Sequence, residues 1–177
     1  EGGYLQEALV NLVSFLGWNP GDEREIFTLE ELEKEFSIER VTKAAAVFNR
    51  EKLNWYNREY MKRLSISELT DRALPFFVNA GFAKGVPQNR HFLEAAIGLE
   101  RERVTTLREL PNALGFLFAE KLVYDSEMLV WKKSTKEDSK KKLEEIKNKL
   151  AEIDEAVWTK ESLEQMVRAW IESCGYS

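Results

Sequence analysis

Cysteine and histidine are nearly missing from this chain of 177 residues, which has one of each, Cys174 and His91. A lone thiol closes no internal disulfide, which fits a reducing compartment, either cytoplasmic or an organellar matrix. A metal centre needs three or four convergent ligands, whereas His91 and Glu94 offer two on one helical face; no metal site is expected. The nine glycines are scattered through turns and form no phosphate-cradling loop. Nothing resembles a nucleophile with its base or a spaced carboxylate pair, so no catalytic residue is expected. No apolar run approaches the roughly 18 residues a membrane span requires, and no basic-then-apolar leader is visible. Alternating strand patterns and internal repeats are also lacking. The chain opens Glu1-Gly2-Gly3 without an initiator Met, and we expect a fragment of a longer protein.

What is present is helical periodicity. A hydrophobic fraction of 44% with 32% charged residues suits a globular protein. Leu5, Ala8, Leu9, Leu12, Val13 and Leu16 predict a first helix, ended by Gly17 and the turn Asn19-Pro20-Gly21. Thr28 with Glu31 forms a capping box for a second helix bearing Leu29, Leu32 and Phe36. Residues 50–64 predict a third helix, with Leu53, Tyr56, Tyr60 and Leu64 on its core stripe. Ser67 is expected to cap a fourth helix, a fifth is expected over about 88–103, and Thr106 is expected to cap a sixth carrying Leu110, Leu114, Leu117 and Phe118. Leu143, Ile146, Leu150 and Ile153 mark an amphipathic helix whose lysines form a solvated face. A last helix opens at Thr159 and stops at Gly175. The fold class expected is all-α, a helical bundle.

The net charge is −5, but it is unevenly spread: −8 over 1–39, +5 over 40–66, −2 over 67–131, +4 over 132–149 and −4 over 150–177. A generic nucleic-acid binder is basic overall, so any such role must rest on local islands. The island at 40–63 combines Arg40, Lys43, Arg50, Lys52, Arg58, Lys62 and Arg63 with Phe48, Trp55, Tyr56 and Tyr60. Cations contact phosphates and aromatics stack on bases, yet aromatics at helical spacing are also ordinary core residues. Both readings stand on the residues alone. The shift in charge near residue 66 suggests a domain break there.

Three stretches then carry a resemblance. Gly3-Tyr-Leu-Gln-Glu-Ala-Leu-Val-Asn-Leu-Val-Ser-Phe-Leu-Gly-Trp-Asn-Pro-Gly21 resembles the helix and turn that follow the catalytic signature loop of bacterial and organellar glutamyl-tRNA synthetases. Phe36-Ser-Ile-Glu-Arg-Val-Thr-Lys-Ala-Ala-Ala-Val-Phe48, running into Lys52-Leu-Asn-Trp55, is similar to that family's stem-contact region. Leu99-Glu-Arg-Glu-Arg-Val-Thr-Thr-Leu107 resembles its anticodon-domain helix, whose arginine reads a base of the glutamate anticodon. Gln6, the Ala45-Ala46 pair and Tyr56 depart from the usual residues.

The resemblance implies a stem-contact segment over 1–66 and a helical anticodon-binding domain over 67–177, cut short at its C-terminal end. The ATP-binding signatures of the family would lie before Glu1, so the parent enzyme uses ATP and Mg2+ while this chain holds no cofactor. Arg103 is the implied base reader, because a guanidinium presents paired donors in a fixed plane and a good bidentate contact discriminates by about 1–3 kcal/mol. An Arg here, where relatives with relaxed tRNA choice carry Gln, points to discrimination between tRNA-Glu and tRNA-Gln. Arg40, Lys43 and Lys52 are implied backbone contacts at the inside corner of the tRNA, and Asn54 and Trp55 are implied site residues that fix the local fold. Arg101 falls on a different face from Arg103 and is expected to be a plain surface charge. The partner implied is tRNA-Glu, bound by a monomer. Two alternatives remain open: a helical protein-interaction module docking through 132–153, and a tRNA-binding paralogue that no longer aminoacylates.

Overall fold

The computed structural model describes residues 2–42, 47–82, 89–119, 121–130 and 134–175. Every regular element among the described residues is helical, and none of the helices is long and apolar enough to cross a membrane. The main helices are α1 (Gln6–Ser14), α2 (Leu29–Glu35), α3 (Arg50–Arg63), α4 (Ile66–Phe77), α5 (Arg90–Glu100), α6 (Leu110–Leu114), α7 (Lys136–Ala151) and α8 (Lys160–Ser173). They fall into two compact units, Glu1–Leu122 and Val123–Ser177.

Local chemistry sets most helix starts. Thr28 and Glu31 form the expected capping box, each side chain bonding the other's backbone N–H. Asn49 and Asn89 cap α3 and α5 by accepting from Lys52 N and Phe92 N. The cap of α4 is Ser65, not Ser67 as the sequence suggested. Ser65 has Glu68 three residues on, and the two exchange hydrogen bonds at 3.2 and 3.0 Å; Ser67 has Thr70 there, which lacks the reach to reciprocate. Thr106 also differs from expectation. It makes no cap but donates to Glu109 Oε1 at 2.8 Å, and the chain enters α6 through a 3₁₀ turn, Leu107–Glu109. Helix α6 gives way after one turn to another 3₁₀ turn, Gly115–Leu117, where a Cβ on Gly115 would sit 2.7 Å from Phe82 Cζ.

In the first unit, Leu5, Ala8 and Leu12 of the α1 segment join Leu53, Tyr56 and Tyr60 of α3 in one core. That core continues through Leu69, Ala73 and Phe77 of α4, Leu93 and Ile97 of α5, and Leu110 and Leu114 of α6. Leu53, Tyr56 and Tyr60 are therefore the packing residues their spacing indicated. A smaller cluster of Trp18, Phe27 and Leu32, with Phe15 against it, fixes the turn after α1.

Two fully buried asparagines tie these elements together. Asn11 accepts from Phe27 N–H at 3.0 Å and donates to Glu25 O at 2.7 Å, and the Tyr60 hydroxyl lies within hydrogen-bond reach of Asn11 Oδ1 and Phe27 O. Asn57 accepts from Leu5 N–H at 2.7 Å and donates to Thr105 O at 2.6 Å. A buried amide is tolerated only when its groups are paired, and here the pairs join segments 48 and 52 residues apart.

The second unit is less buried. Leu143 remains 46% exposed, Ile146, Leu150 and Ile153 are half-buried, and α8 has no fully buried residue among those described. The exposed Lys140 and Lys141 of α7 lie 3.9 Å from Glu144 and Glu145 one turn away, which fits a solvated face.

Candidate nucleic-acid interface

Arg103 sits just past the end of α5, on a turn fixed from both sides. Two residues earlier, Arg101 Nη2 donates to Met61 O at 2.9 Å, Lys62 O at 2.5 Å and Leu64 O at 3.3 Å. These are carbonyls at the C-terminal end of α3, where free acceptors and the helix dipole favour a cation. Arg101 is thus a brace between α5 and α3, which corrects the expectation of a plain surface charge. On the other side, Val104 is 5% exposed and its N–H returns to Glu100 O at 3.2 Å. With both neighbours held, the Arg103 side chain is directed outward and is 76% exposed. It makes one ion pair, to Glu100 Oε1 at 2.9 Å, which leaves most of its fork available.

The expected stem-contact residues are spread over the segment between α1 and α3. Arg40, exposed at the end of a 3₁₀ turn (Ile38–Arg40), donates to Pro20 O at 3.0 Å. Thr42 N–H bonds Gly17 O at 2.7 Å, so this segment is stapled to the turn after α1. Lys52 is more committed: its Nζ is 2.8 Å from Glu25 Oε1 and lies over the rings of Phe15 and Tyr56, at 5.9 and 5.6 Å. The Glu25 contact raises the Lys52 pKa, burial opposing it, so the ammonium stays charged. Asn54 accepts from the Tyr4 hydroxyl at 2.6 Å, and Trp55 is 37% exposed with its ring tilted against Tyr56 at 5.1 Å. Lys43 lies outside the described residues. The structure thus brings Lys52, Asn54 and Trp55 together on the first turns of α3, with Arg40 on a preceding turn and Arg103 on a separate one.

Sequence reasoning missed Arg101, Asn11 and Asn57 as the residues that position this surface. Arg101 left no local signal, because its partners are 37 to 40 residues away. The asparagines did leave one: each is an amide set among the apolar residues of a helix face.

The family model for the anticodon binding domain matches residues 68–177. The chain belongs to this family. Ahead of that anticodon-binding domain, residues 1–55 match the catalytic-domain model of class I tRNA synthetases for E and Q. The chain is similar to glutamate–tRNA ligases of Porphyromonas gingivalis (37% identity, covering 99% of this chain and 33% of the relative) and Carboxydothermus hydrogenoformans (37%, covering 86% and 32%). It also resembles that of Clostridioides difficile, at 42% identity over 71% of this chain and 26% of the relative. Among solved structures, the glutamate tRNA ligase of Elizabethkingia meningosepticum superposes with a TM-score of 0.71 at 26% identity, over 99% of this chain and 33% of that one. The chain therefore spans about a third of the length of the relatives it matches. Arg103 lies within the anticodon-binding domain match, whereas Arg40, Lys52, Asn54 and Trp55 lie within the synthetase match.

Proposed function

We propose that this chain is the tRNA-binding, anticodon-reading part of a glutamate–tRNA ligase. Its parent enzyme attaches glutamate to tRNA-Glu with ATP and Mg2+, acts as a monomer in the cytoplasm or an organellar matrix, and carries the adenylation chemistry outside these residues. The observation that carries the reading is Arg103: an outward guanidinium on a turn braced by Arg101 and Val104, within the anticodon-binding domain match. A base is read by a donor pair held in register, and the bracing supplies that register. Arg40, Lys43 and Lys52 contact the tRNA backbone, which positions without specifying sequence. Of these, Lys52 must exchange its Glu25 partner for phosphate. Asn54 and Trp55 shape the start of α3. In this reading residues 1–66 meet the stem and 67–177 the anticodon, a division of RNA contacts and not of packing, because one core runs through residue 66.

The test is Arg103→Gln in the full-length enzyme, assayed with tRNA-Glu and anticodon variants. We expect kcat/KM to fall by about tenfold to a hundredfold, the range of one bidentate base contact, or anticodon choice to relax, with tRNA-independent steps unchanged. Equal kinetics for mutant and wild type on every anticodon would refute the assignment.

A further inference from the structure

A polar cleft of about 380 Å³ lies beside Asn54, and three segments build it. Gly2 and Tyr4 form one wall, Arg50 and Asn54 on the first turns of α3 a second, and residues 105–112 a third, contributing Arg108, Glu109 and Asn112 among others. The cleft depends on an unusually close approach. Gly3 adopts φ +80°, its O accepts from Leu107 N–H at 2.9 Å, and a Cβ on it would fall 2.6 Å from Arg108 N. Only glycine lets the two walls meet there.

The lining is rich in donors. Arg24, Arg40, Arg72, Arg90, Arg101, Arg103 and Arg168 each hold an acidic or carbonyl partner, whereas Arg50 and Arg108, like Arg63 on the last turn of α3, are exposed and form no ion pair among the described residues; of these three only Arg50 and Arg108 line the cleft. Asn54 is oriented by Tyr4: because Oδ1 accepts the Tyr4 hydroxyl at 2.6 Å, the NH2 group is the part left for a ligand. The one carboxylate present, Glu109, is already bound to Thr105 N–H at 2.9 Å and the Thr106 hydroxyl at 2.8 Å. Two guanidinium forks and an amide donor around one cavity suit a tetrahedral oxyanion.

We propose that this cleft binds a backbone phosphate of the RNA, with Arg50 and Arg108 as its charged contacts and Asn54 as a neutral donor held in place by Tyr4. The proposal rests on the tRNA-binding reading above. It places a sequence-independent anchor where the N-terminal segment, α3 and the entrance to α6 converge. Since Asn57 pins two of those walls, the anchor is rigid relative to the core.

The experiment measures binding of tRNA-Glu transcript to the 177-residue chain across a fourfold range of salt, for wild type, Arg50→Gln, Arg108→Gln and Arg103→Gln. Thermal melts of each variant report folding. Loss of one phosphate contact lowers the slope of log K against log salt by about one unit, so each cleft variant should lose about a fourfold salt effect over that range, equally on every anticodon variant. Arg103→Gln should instead change the ranking of anticodon variants. If both cleft variants keep the wild-type slope and affinity while Arg103→Gln shifts the ranking, the cleft proposal falls and the anticodon reading stands. If wild type itself shows no salt-dependent binding, both fall. Inorganic phosphate, added at constant ionic strength, is the small-anion control: if it raises the melting temperature of wild type but not of the cleft variants, while those variants bind RNA with the wild-type slope and affinity, the cleft is a small-anion site and the proposal is overturned.

Discussion

Asn57→Ala tests how the RNA-facing elements are held in register. Asn57 is fully buried, and its amide joins Leu5 N–H at 2.7 Å to Thr105 O at 2.6 Å. Alanine leaves one donor and one acceptor unpaired inside the core, each costing about 1–3 kcal/mol, so the expected loss is about 3–5 kcal/mol once some packing is lost as well. For a domain of this size each kcal/mol moves Tm by about 2–4 °C, giving a drop of roughly 10 °C. Asn57→Asp separates the two bonds. Its carboxylate still accepts from Leu5 N–H, but the second oxygen faces the Thr105 carbonyl with no proton to offer, and a charge is buried. At neutral pH it should be at least as damaging as alanine. Relative to wild type it should recover on acidification, because a protonated carboxyl donates to Thr105 O. Urea titrations at neutral and acidic pH, followed by near-ultraviolet circular dichroism, supply the comparison. An unfolding free energy for Asn57→Ala within about 0.5 kcal/mol of wild type, with unchanged slope, would show that the bridge does not hold these segments.

Other outcomes follow from the same contacts. Arg101→Ala removes three carbonyl contacts at the end of α3 and should cost about 1–2 kcal/mol, reduced from the buried value because the group is half-exposed; thermal melting checks it, and tRNA-Glu binding by the variant should lose anticodon preference as the Arg103 turn loosens. Gly3→Ala meets both a positive φ and an Arg108 backbone nitrogen at 2.6 Å, so it should destabilise by about 1–3 kcal/mol or more in a urea titration. On the acid side, the Thr28 N–H bond lowers the Glu31 pKa and the Ser65 contacts lower that of Glu68, below the ordinary 4.5, while Arg24 and Arg90 lower those of Asp22 and Asp71 below 3.8. Depressed folded values mean stability that is complete above those ordinary values and lost as pH falls through the lower ones, measurable as a falling urea midpoint. On the alkaline side, burial pushes Tyr60 from 10.0 up to about 12, so its contribution is complete below 10.0 and lost as pH rises toward 12; Tyr60→Phe should flatten that loss.

How far local pattern reaches is visible element by element. The stripe Leu53, Tyr56, Tyr60 and the Thr28–Glu31 box were legible because a helix repeats every 3.6 residues and its cap is chosen within four residues of its start. The placement of Ser65 over Ser67 was legible too, once the return bond from Glu68 is weighed. For the candidate interface, the sequence distinguished Arg103 only through a family resemblance, since two arginines two residues apart look alike in isolation.

What separates Arg101 from Arg103 is tertiary. Arg101 meets the end of α3 and becomes a brace, while Arg103 meets solvent, and that difference depends on α5 packing beside a helix 40 residues earlier in the chain. The same holds for Lys52, whose charge is drawn to Glu25 across 27 residues, and for the Arg50–Arg108 cleft, whose walls meet only where Gly3 allows it. By itself, then, the sequence determined an all-helical chain, the starts of most helices and its basic island. The tertiary structure decided which cations are spent on the fold and which remain for a ligand, because the low dielectric and fixed geometry that pair a charge exist only once distant segments have closed around it.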